Sequence, residues 1–369
     1  MSDREEAMRA FLKNAGWGGA AVTPLAGDAS TRRYFRVAMN GRKAMLMDQP
    51  PHAETPVAPP DATPEQRRKL GYIAVARLAG ADVGRFVAVA NYLHAHGLSA
   101  PQIYAADIPQ GFALIEDLGD DLYADVLDKG GNERELYLAA ADVLAKLHEN
   151  EAPKMLDAKT PLLPYDETAQ IGEVDLMTEW FMPMALGRAA TEDETREHRA
   201  LWKAALDTTR TLPPVLIHRD YHAQNLLWLP DRKNHARVGI LDFQDAVSGS
   251  RAQDLMHLVQ DARRDVSAEV TDATIRRYLD ASRQRGLALD EDRFGAEMAI
   301  ISGQRLARIV GVFGRLYKRD GKPRYLDYLP RVWGHLNKDL SHPALADLKK
   351  WYDRAIPVEK RGKPQGVSV

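Results

Sequence analysis

The sequence has 369 residues, of which 45% are hydrophobic and 28% are charged, and its charges nearly cancel to a net charge of -2. This length and apolar fraction are sufficient for the cores of two lobes, and nucleic-acid-binding proteins usually have a basic excess that is missing here. The sequence contains no run of about 18 apolar residues, so we expect no membrane span. Its acidic start is not typical of a signal peptide. The absence of cysteine excludes disulfides and thiolate metal sites. We expect a soluble cytoplasmic protein, and the sequence leaves its oligomeric state open.

The hydrophobic patterns predict a β-rich first part and a mostly helical second part. In chain order, they predict a helix at 3–15, strands within 21–49, a proline-rich loop at 50–64, a helix at 85–96, a strand at 111–118, a helix at 133–148, short strands at 215–217, 226–228 and 238–241, and helices from about 251. Within this series, Asn40-Gly41 is typical of a hairpin turn. The order predicts an α+β protein with two lobes, an N-lobe at 1–115 and a C-lobe at 116–369.

The most specific motif is His-Arg-Asp-Tyr-His-Ala-Gln-Asn at 218–225, which is flanked by apolar strands and followed by a further strand that ends in Asp242-Phe243. Phosphoryl transfer needs a carboxylate that orients and deprotonates the attacking hydroxyl, and oxygen ligands for magnesium. Asp220 supplies the base in this pattern, and Asn225 and Asp242 supply the metal ligands, as in the catalytic loop of protein kinases. Each residue alone could serve a turn, but the flanking strands favour a kinase that uses ATP and Mg²⁺, with nucleotide binding in the N-lobe and catalysis and substrate binding in the C-lobe.

Two other residues are candidates for supporting this loop. His218 is expected to hold the loop through hydrogen bonds rather than to take part in the chemistry. Asp254 begins a helix-like segment and has two interpretations, an ordinary acid favoured by the helix dipole or a buried acid that braces the catalytic loop.

The nucleotide is predicted to contact two segments of the N-lobe. Small residues at 27–31 let backbone amides approach phosphates, and two hydroxyls and nearby arginines add donors; the alternative is a hairpin turn with solvated arginines. The run at 114–119 is predicted to be the linker between the lobes, where backbone groups usually hold adenine. The predicted nucleotide-binding residues are Gly27, Asp28, Ala29, Ser30, Thr31, Arg33, Lys43, Glu116 and Leu118.

Several segments resemble the aminoglycoside phosphotransferase superfamily, and within it most closely the N-acetylmuramate and N-acetylglucosamine anomeric kinases of bacterial cell-wall recycling. The segments are GDASTRRYFRV at 27–37, MLMDQPP at 45–51, LIEDLGDDLY at 114–123, HRDYHAQN at 218–225, GILDFQDAVSGSRAQDL at 239–255 and a long stretch at 304–333. The resemblance implies a protein-kinase-like fold with a small β-rich N-lobe and a larger helical C-lobe. It also implies Asp220 as base, Asn225 and Asp242 as magnesium ligands, and phosphorylation of the C1 hydroxyl of these amino sugars to the α-1-phosphate in peptidoglycan recycling.

One departure from kinase patterns concerns the third strand, where a lysine usually holds the phosphates. Met47 or Asp48 stands at the corresponding place, Lys43 comes early, and an arginine from 32–36 could substitute.

The acceptor has competing interpretations. Glu173, Asp175 and Glu179 lie beside Trp180, so that Glu179 and Trp180 are candidates for substrate binding, and an acidic pocket would suit cationic acceptors such as an aminoglycoside or choline. The alternative for these acids is a solvated helix face. Another hydroxylated acceptor such as homoserine, or a nucleotide-binding module without turnover, is the remaining possibility.

Overall fold

The computed structural model describes residues 3–25, 31–51 and 57–364. The strands are β1 (Ala21–Pro24), β2 (Arg33–Met39), β3 (Arg42–Asp48), β4 (Ile103–Asp107), β5 (Phe112–Ile115), β6 (Val215–Ile217), β7 (Leu226–Trp228), β8 (Val238–Ile240) and β9 (Val247–Gly249). The helices are α1 (Asp3–Asn14), α2 (Pro64–Leu70), α3 (Tyr72–Val75), α4 (Val83–Ala95), α5 (Tyr123–Asp128), α6 (Glu133–Leu147), α7 (Glu167–Leu176), α8 (Met182–Leu186), α9 (Glu192–Asp207), α10 (Ala252–Val259), α11 (Ala268–Gln284), α12 (Glu291–Lys318), α13 (Leu329–Leu340) and α14 (Ala346–Ala355).

The chain divides into two compact units. The first comprises Met1–Leu147, Pro153–Leu163 and His218–Val247, and the second comprises His148–Ala152, Pro164–Ile217 and Ser248–Val369. The lobe boundary predicted after residue 115 lies within the first unit, because the catalytic loop and strands β7 and β8 belong to the same unit as the β1–β5 sheet. The lobes at 1–115 and 116–369 therefore stay a prediction.

The first unit is built on an antiparallel sheet with the strand order β1-β2-β3-β5-β4. Asn40 and Gly41 connect β2 to β3 with φ angles of 51° and 76°, the conformation that a two-residue hairpin turn requires, which confirms the predicted hairpin. One face of the sheet packs against α1 in an apolar cluster that includes Phe11, Val37 and Leu46. Because side chains alternate along a strand, residues of the opposite parity in β2 and β3 lie on the other face.

The predicted helices at 3–15, 85–96 and 133–148 are confirmed as α1, α4 and α6. Helices α2 and α3 were not predicted, although Thr63 and Gln66 form a capping box at the start of α2, a pattern that sequence reasoning can find.

The second unit is helical around α12, whose 28 residues include three glycines in close contact with neighbouring segments. At Gly311 a Cβ atom would lie 2.4 Å from the carbonyl carbon of Leu176. A side chain at this position would therefore push α12 away from α7. Among the helices that the structure describes, none has the length and apolar character needed to cross a membrane.

Candidate active site

Hydrogen bonds hold the two ends of the catalytic loop, residues 218–225, close together. The amide Nδ2 of Asn225 donates to the backbone carbonyl of Asp220 at 2.9 Å, and the backbone N–H of Leu241 donates to the carbonyl of Asn225 at 2.9 Å. These bonds fix the start and end of the loop to each other and to the end of β8. The three residues that the motif predicts as catalytic thus lie within one hydrogen-bonded segment of the first unit.

His218 connects the two ends of this segment. Its Nδ1 accepts the backbone N–H of Asp220 at 3.2 Å, and its Nε2 lies 2.7 Å from the carbonyl oxygen of Leu241. A ring that accepts at Nδ1 and faces a carbonyl at Nε2 must be the neutral tautomer with its proton on Nε2. The side chain is buried, and its contacts agree with the holding role that the sequence predicts.

Two non-glycine residues of the segment have left-handed backbone conformations. Arg219 has a φ of 76° and Asp242 a φ of 57°, a region that costs energy for residues with a side chain. The buried guanidinium of Arg219 donates to the carbonyl of Ala76 at 2.9 Å, and the ring of Phe243 stacks on Phe86 of α4 with centroids 4.8 Å apart. Contacts on both sides therefore hold the strained residues in place.

The oxygen atoms of Asn225 and Asp242 fit a magnesium ion. Because the Nδ2 of Asn225 is directed at Asp220, its Oδ1 is the atom available for a cation. Asp242, whose side chain is 47% exposed, accepts Gln244 at 2.9 Å and Arg32 at 3.3 Å, both on Oδ1. None of the described residues donates to its Oδ2, which is therefore the atom proposed to bind a metal. In the described ranges no three His, Cys, Asp or Glu side chains form a metal cluster, and a pair of hard oxygen ligands is the usual protein contribution to Mg²⁺ bound with phosphates.

A cavity of about 410 Å³ lies in the first unit beside these ligands. Asn225 and Asp242 line it together with the segment after β5, which includes Glu116 and Leu118. The backbone N–H of Glu116 donates to the carbonyl of Gln102 at 2.8 Å, so the carbonyl of Glu116 is the group that it can offer to a ligand. Apolar walls are supplied by Leu25, Met45, Phe86, Ile115, Leu227 and Phe243. The cavity therefore places apolar walls next to the two side chains that are predicted to bind a metal.

Comparison with known proteins places this constellation in a family. The "Phosphotransferase enzyme family" matches residues 21–289. The chain belongs to this phosphotransferase family. It is 46% identical over 366 residues to a protein of Caulobacter vibrioides named N-acetylmuramate/N-acetylglucosamine kinase, covering 98% of this chain and 99% of that one. A Pseudomonas aeruginosa protein of the same name is 32% identical, with 90% and 89% of the two chains covered.

Solved structures share the fold at low sequence identity. A microcompartment-associated aminopropanol kinase matches with a TM-score of 0.59 at 13% identity, covering 91% of this chain and 98% of that one. An ADP-bound aminoglycoside phosphotransferase matches with a TM-score of 0.54 at 16% identity, covering 93% and 98%. The predicted protein-kinase-like fold, with a small β-rich N-lobe and a larger, mostly helical C-lobe, is confirmed.

The residues of the N-lobe that were predicted to bind the nucleotide phosphates do not all lie at the cavity. Gly27, Asp28, Ala29 and Ser30 lie outside the described residues. Thr31 is described, and its Oγ1 accepts the side-chain amide of Gln49 at 2.9 Å. Arg33 forms an ion pair with Asp48. Lys43 is exposed near the start of β3.

The cavity is lined by other residues of β2. Neither Arg33 nor Lys43 lines it, whereas Tyr34 and Arg36 do. Sequence reasoning missed Tyr34 and left the choice among the arginines at 32–36 open, although period-two alternation from the core residue Val37 assigns Tyr34 and Arg36 to the cavity face.

The remaining predicted residues of the phosphotransferase belong to the second unit. Asp254 is fully buried on α10, with Oδ2 3.9 Å from Nε2 of His148, so it is not a solvated helix-start acid. Glu179 and Trp180 lie in a π-helical turn, Met177–Phe181, and desolvation and then the neighbouring Asp175 raise the pKa of Glu179. The roles of these residues towards catalytic loop and acceptor stay predictions.

Proposed function

We propose that this protein is an ATP-dependent kinase that phosphorylates the C1 hydroxyl of N-acetylmuramate and N-acetylglucosamine, giving the α-1-phosphate in peptidoglycan recycling. The observation that carries the reaction type is the cavity in which Asn225 and Asp242 share a wall with Glu116 and Leu118. The likeness to the Caulobacter vibrioides kinase over nearly its whole length supports the acceptor.

In this proposal the chain positions the nucleotide and the sugar, since positioning supplies much of the rate in phosphoryl transfer. The carbonyl of Glu116 and the N–H of Leu118 hold adenine. Oδ1 of Asn225 and the carboxylate of Asp242 would hold a magnesium ion, which would neutralise charge on the phosphates. Asp220 orients the C1 hydroxyl and accepts its proton. An anomeric hydroxyl is more acidic than an ordinary alcohol, so a carboxylate is a sufficient base for it.

The acids near the π-helical turn do not favour a cationic acceptor. Asp175 is held by Arg199 at 2.6 and 3.0 Å through two nitrogen atoms. Glu173 is buried, accepts the hydroxyl of Tyr165, and lies 3.6 Å from Arg308. Two of the three acids are therefore already compensated by arginine, and a neutral or anionic sugar agrees better with this surface than an aminoglycoside or choline does.

The test is a coupled assay of ADP release with a panel of acceptors. N-acetylmuramate and N-acetylglucosamine should give turnover, whereas the methyl glycoside of N-acetylglucosamine, whose C1 oxygen is blocked, should give none. Equal rates with the free sugar and the glycoside would contradict C1 as the site. Turnover only on kanamycin or choline would assign the protein to another acceptor, and ATP binding without turnover on any acceptor would favour a regulatory module.

A further inference from the structure

The third strand of the sheet has no cation at the phosphate end of the cavity. Met45 of β3 lines the cavity, and Met47, two residues further on, shares its face of the sheet and is fully buried. Tyr34, which pairs with Met47 across the strands, also lines the cavity. A thioether therefore stands where kinases usually place a lysine, although the phosphates of a nucleotide call for a positive charge.

Three other cations of β2 and β3 either form ion pairs with other carboxylates or lie away from Asp242. Arg36 lines the cavity but is held by Asp117 at 2.8 Å and Asp120 at 2.7 Å, next to the segment predicted to hold adenine. Arg33 lies on the opposite face with Asp48. Lys43 is exposed and lies four residues before Met47, at the end of β3 where Met45 pairs with Ile115, next to the segment predicted to hold adenine. None of these three therefore lies on the cavity face of the sheet at the end next to Asp242.

Arg32 is the cation at that end. It precedes β2 and has the same parity as Tyr34 and Arg36, whose side chains face the cavity. Arg32 does not itself line the cavity, but its guanidinium lies 3.3 Å from Oδ1 of Asp242, which does, and its side chain is only 10% exposed. A charged group this deeply buried needs a partner, and the carboxylate of Asp242 supplies one.

We propose that Arg32 replaces the third-strand lysine as the residue that binds the nucleotide phosphates, and that its pairing with Asp242 holds it in place until a metal-nucleotide enters. The inference rests on the proposed function, since it takes the cavity as the nucleotide site. A guanidinium can bind two phosphate oxygens at once, which a lysine cannot. When a nucleotide binds, Arg32 thus exchanges its contact with one carboxylate for contacts with several phosphate oxygens. The exchange releases Asp242 for the metal.

Calorimetric binding of ATP and of adenosine, without acceptor, tests this role. Arg32→Met should weaken ATP binding by about 10- to 100-fold, the usual value of a charge-assisted pair, and leave adenosine binding unchanged. Arg33→Met, which removes the adjacent arginine from the other face of the sheet, is the matched control and should leave both affinities unchanged. Wild-type ATP affinity in Arg32→Met, or equal losses for ATP and adenosine, would overturn the proposal. A wild-type protein that binds no ATP would overturn the kinase function itself.

The pairing with Asp242 has its own test in metal-free buffer containing a chelator. Asp242→Asn should increase the affinity for ATP, because it removes a competitor for Arg32, and the increase should be several-fold smaller in the Arg32→Met background. Identical increases in the two backgrounds would show that the two residues are not coupled and would overturn the exchange of partners.

Discussion

His218 connects the catalytic loop to the strand that carries Asp242, because its Nε2–H donates to the carbonyl oxygen of Leu241 at 2.7 Å. The other ring nitrogen accepts the backbone N–H of Asp220 at 3.2 Å. One neutral imidazole therefore sets the spacing between the proposed base and a proposed metal ligand.

Replacing His218 should disturb this spacing without removing a reacting group. His218→Ala leaves a buried carbonyl without its donor, which costs about 1–3 kcal/mol of stability, and should raise the magnesium concentration needed for half-maximal rate. His218→Gln retains an N–H near the position of Nε2 and should recover part of both losses. Unchanged magnesium dependence in His218→Ala would show that the ring does not position Asp242.

Asp220→Ala should reduce turnover by about 10²- to 10⁴-fold, the usual contribution of a general base. ATP affinity measured by calorimetry should be retained, since Asp220 does not line the cavity in which the nucleotide contacts are proposed. Gln224→Ala, at an exposed position of the same loop, is the control and should keep its rate. A rate within a few-fold of the wild type in Asp220→Ala would exclude this residue as the base.

Asn225→Ala and Asp242→Ala should raise the magnesium requirement or abolish activity, because each removes an oxygen ligand. Binding of Mn²⁺ in the presence of ADP, followed by electron paramagnetic resonance, gives a readout independent of turnover and should weaken in both variants. Asp231→Ala removes an exposed acid of the turn between β7 and β8 and should leave metal binding unchanged. Wild-type metal affinity in either site variant would remove that residue from the ligand set.

Two glycines of α12 should respond to alanine in opposite directions. Gly311→Ala places a Cβ atom 2.4 Å from the carbonyl carbon of Leu176 and should destabilise the protein by about 1–3 kcal/mol or more. Gly295→Ala, with no atom within 4 Å of the new Cβ, should stabilise the helix by up to about 1 kcal/mol. Denaturant unfolding of both variants measures the difference, and equal free energies of unfolding would contradict the close packing of α12 on α7.

Buried His198 should make stability fall in acid. The Nε1–H of Trp202 can only donate, so Nε2 of His198 must accept this bond at 2.9 Å as a neutral ring. Burial, and next Arg199, lower the pKa of His198 to about 3 from the model-peptide value of 6.5. Between these values the unfolded chain binds the proton and the folded chain does not, so stability decreases as pH falls, by about 1.4 kcal/mol per unit for this group.

His198→Gln retains an acceptor for Trp202 but cannot titrate. Its free energy of unfolding, measured in urea from pH 7 to pH 4.5, should fall less steeply than that of the wild type. Parallel curves for the two proteins would show that His198 does not contribute to the acid sensitivity.

The sequence alone identified the proposed catalytic segment, because the chemistry of such a segment depends on residue types at fixed spacing within one strand-loop-strand unit. Asp220, Asn225 and Asp242 needed no long-range information to be chosen, and neither did the Asn40-Gly41 hairpin, whose conformation is set by two residues. The holding role of His218 also followed from its place in the motif, although its partner Leu241 is 23 residues away.

Only the tertiary structure decided which arginine lies beside Asp242. Arg32, Arg33 and Arg36 are similar in sequence context, but Arg33 points away from the cavity because Val37, of the same parity, is buried against α1. Arg36 is neutralised by Asp117 and Asp120, about 80 residues later in the chain. The burial of Asp254 beside His148 was likewise beyond the sequence, because local patterns fix the face on which a side chain lies, whereas its partners depend on how distant segments pack.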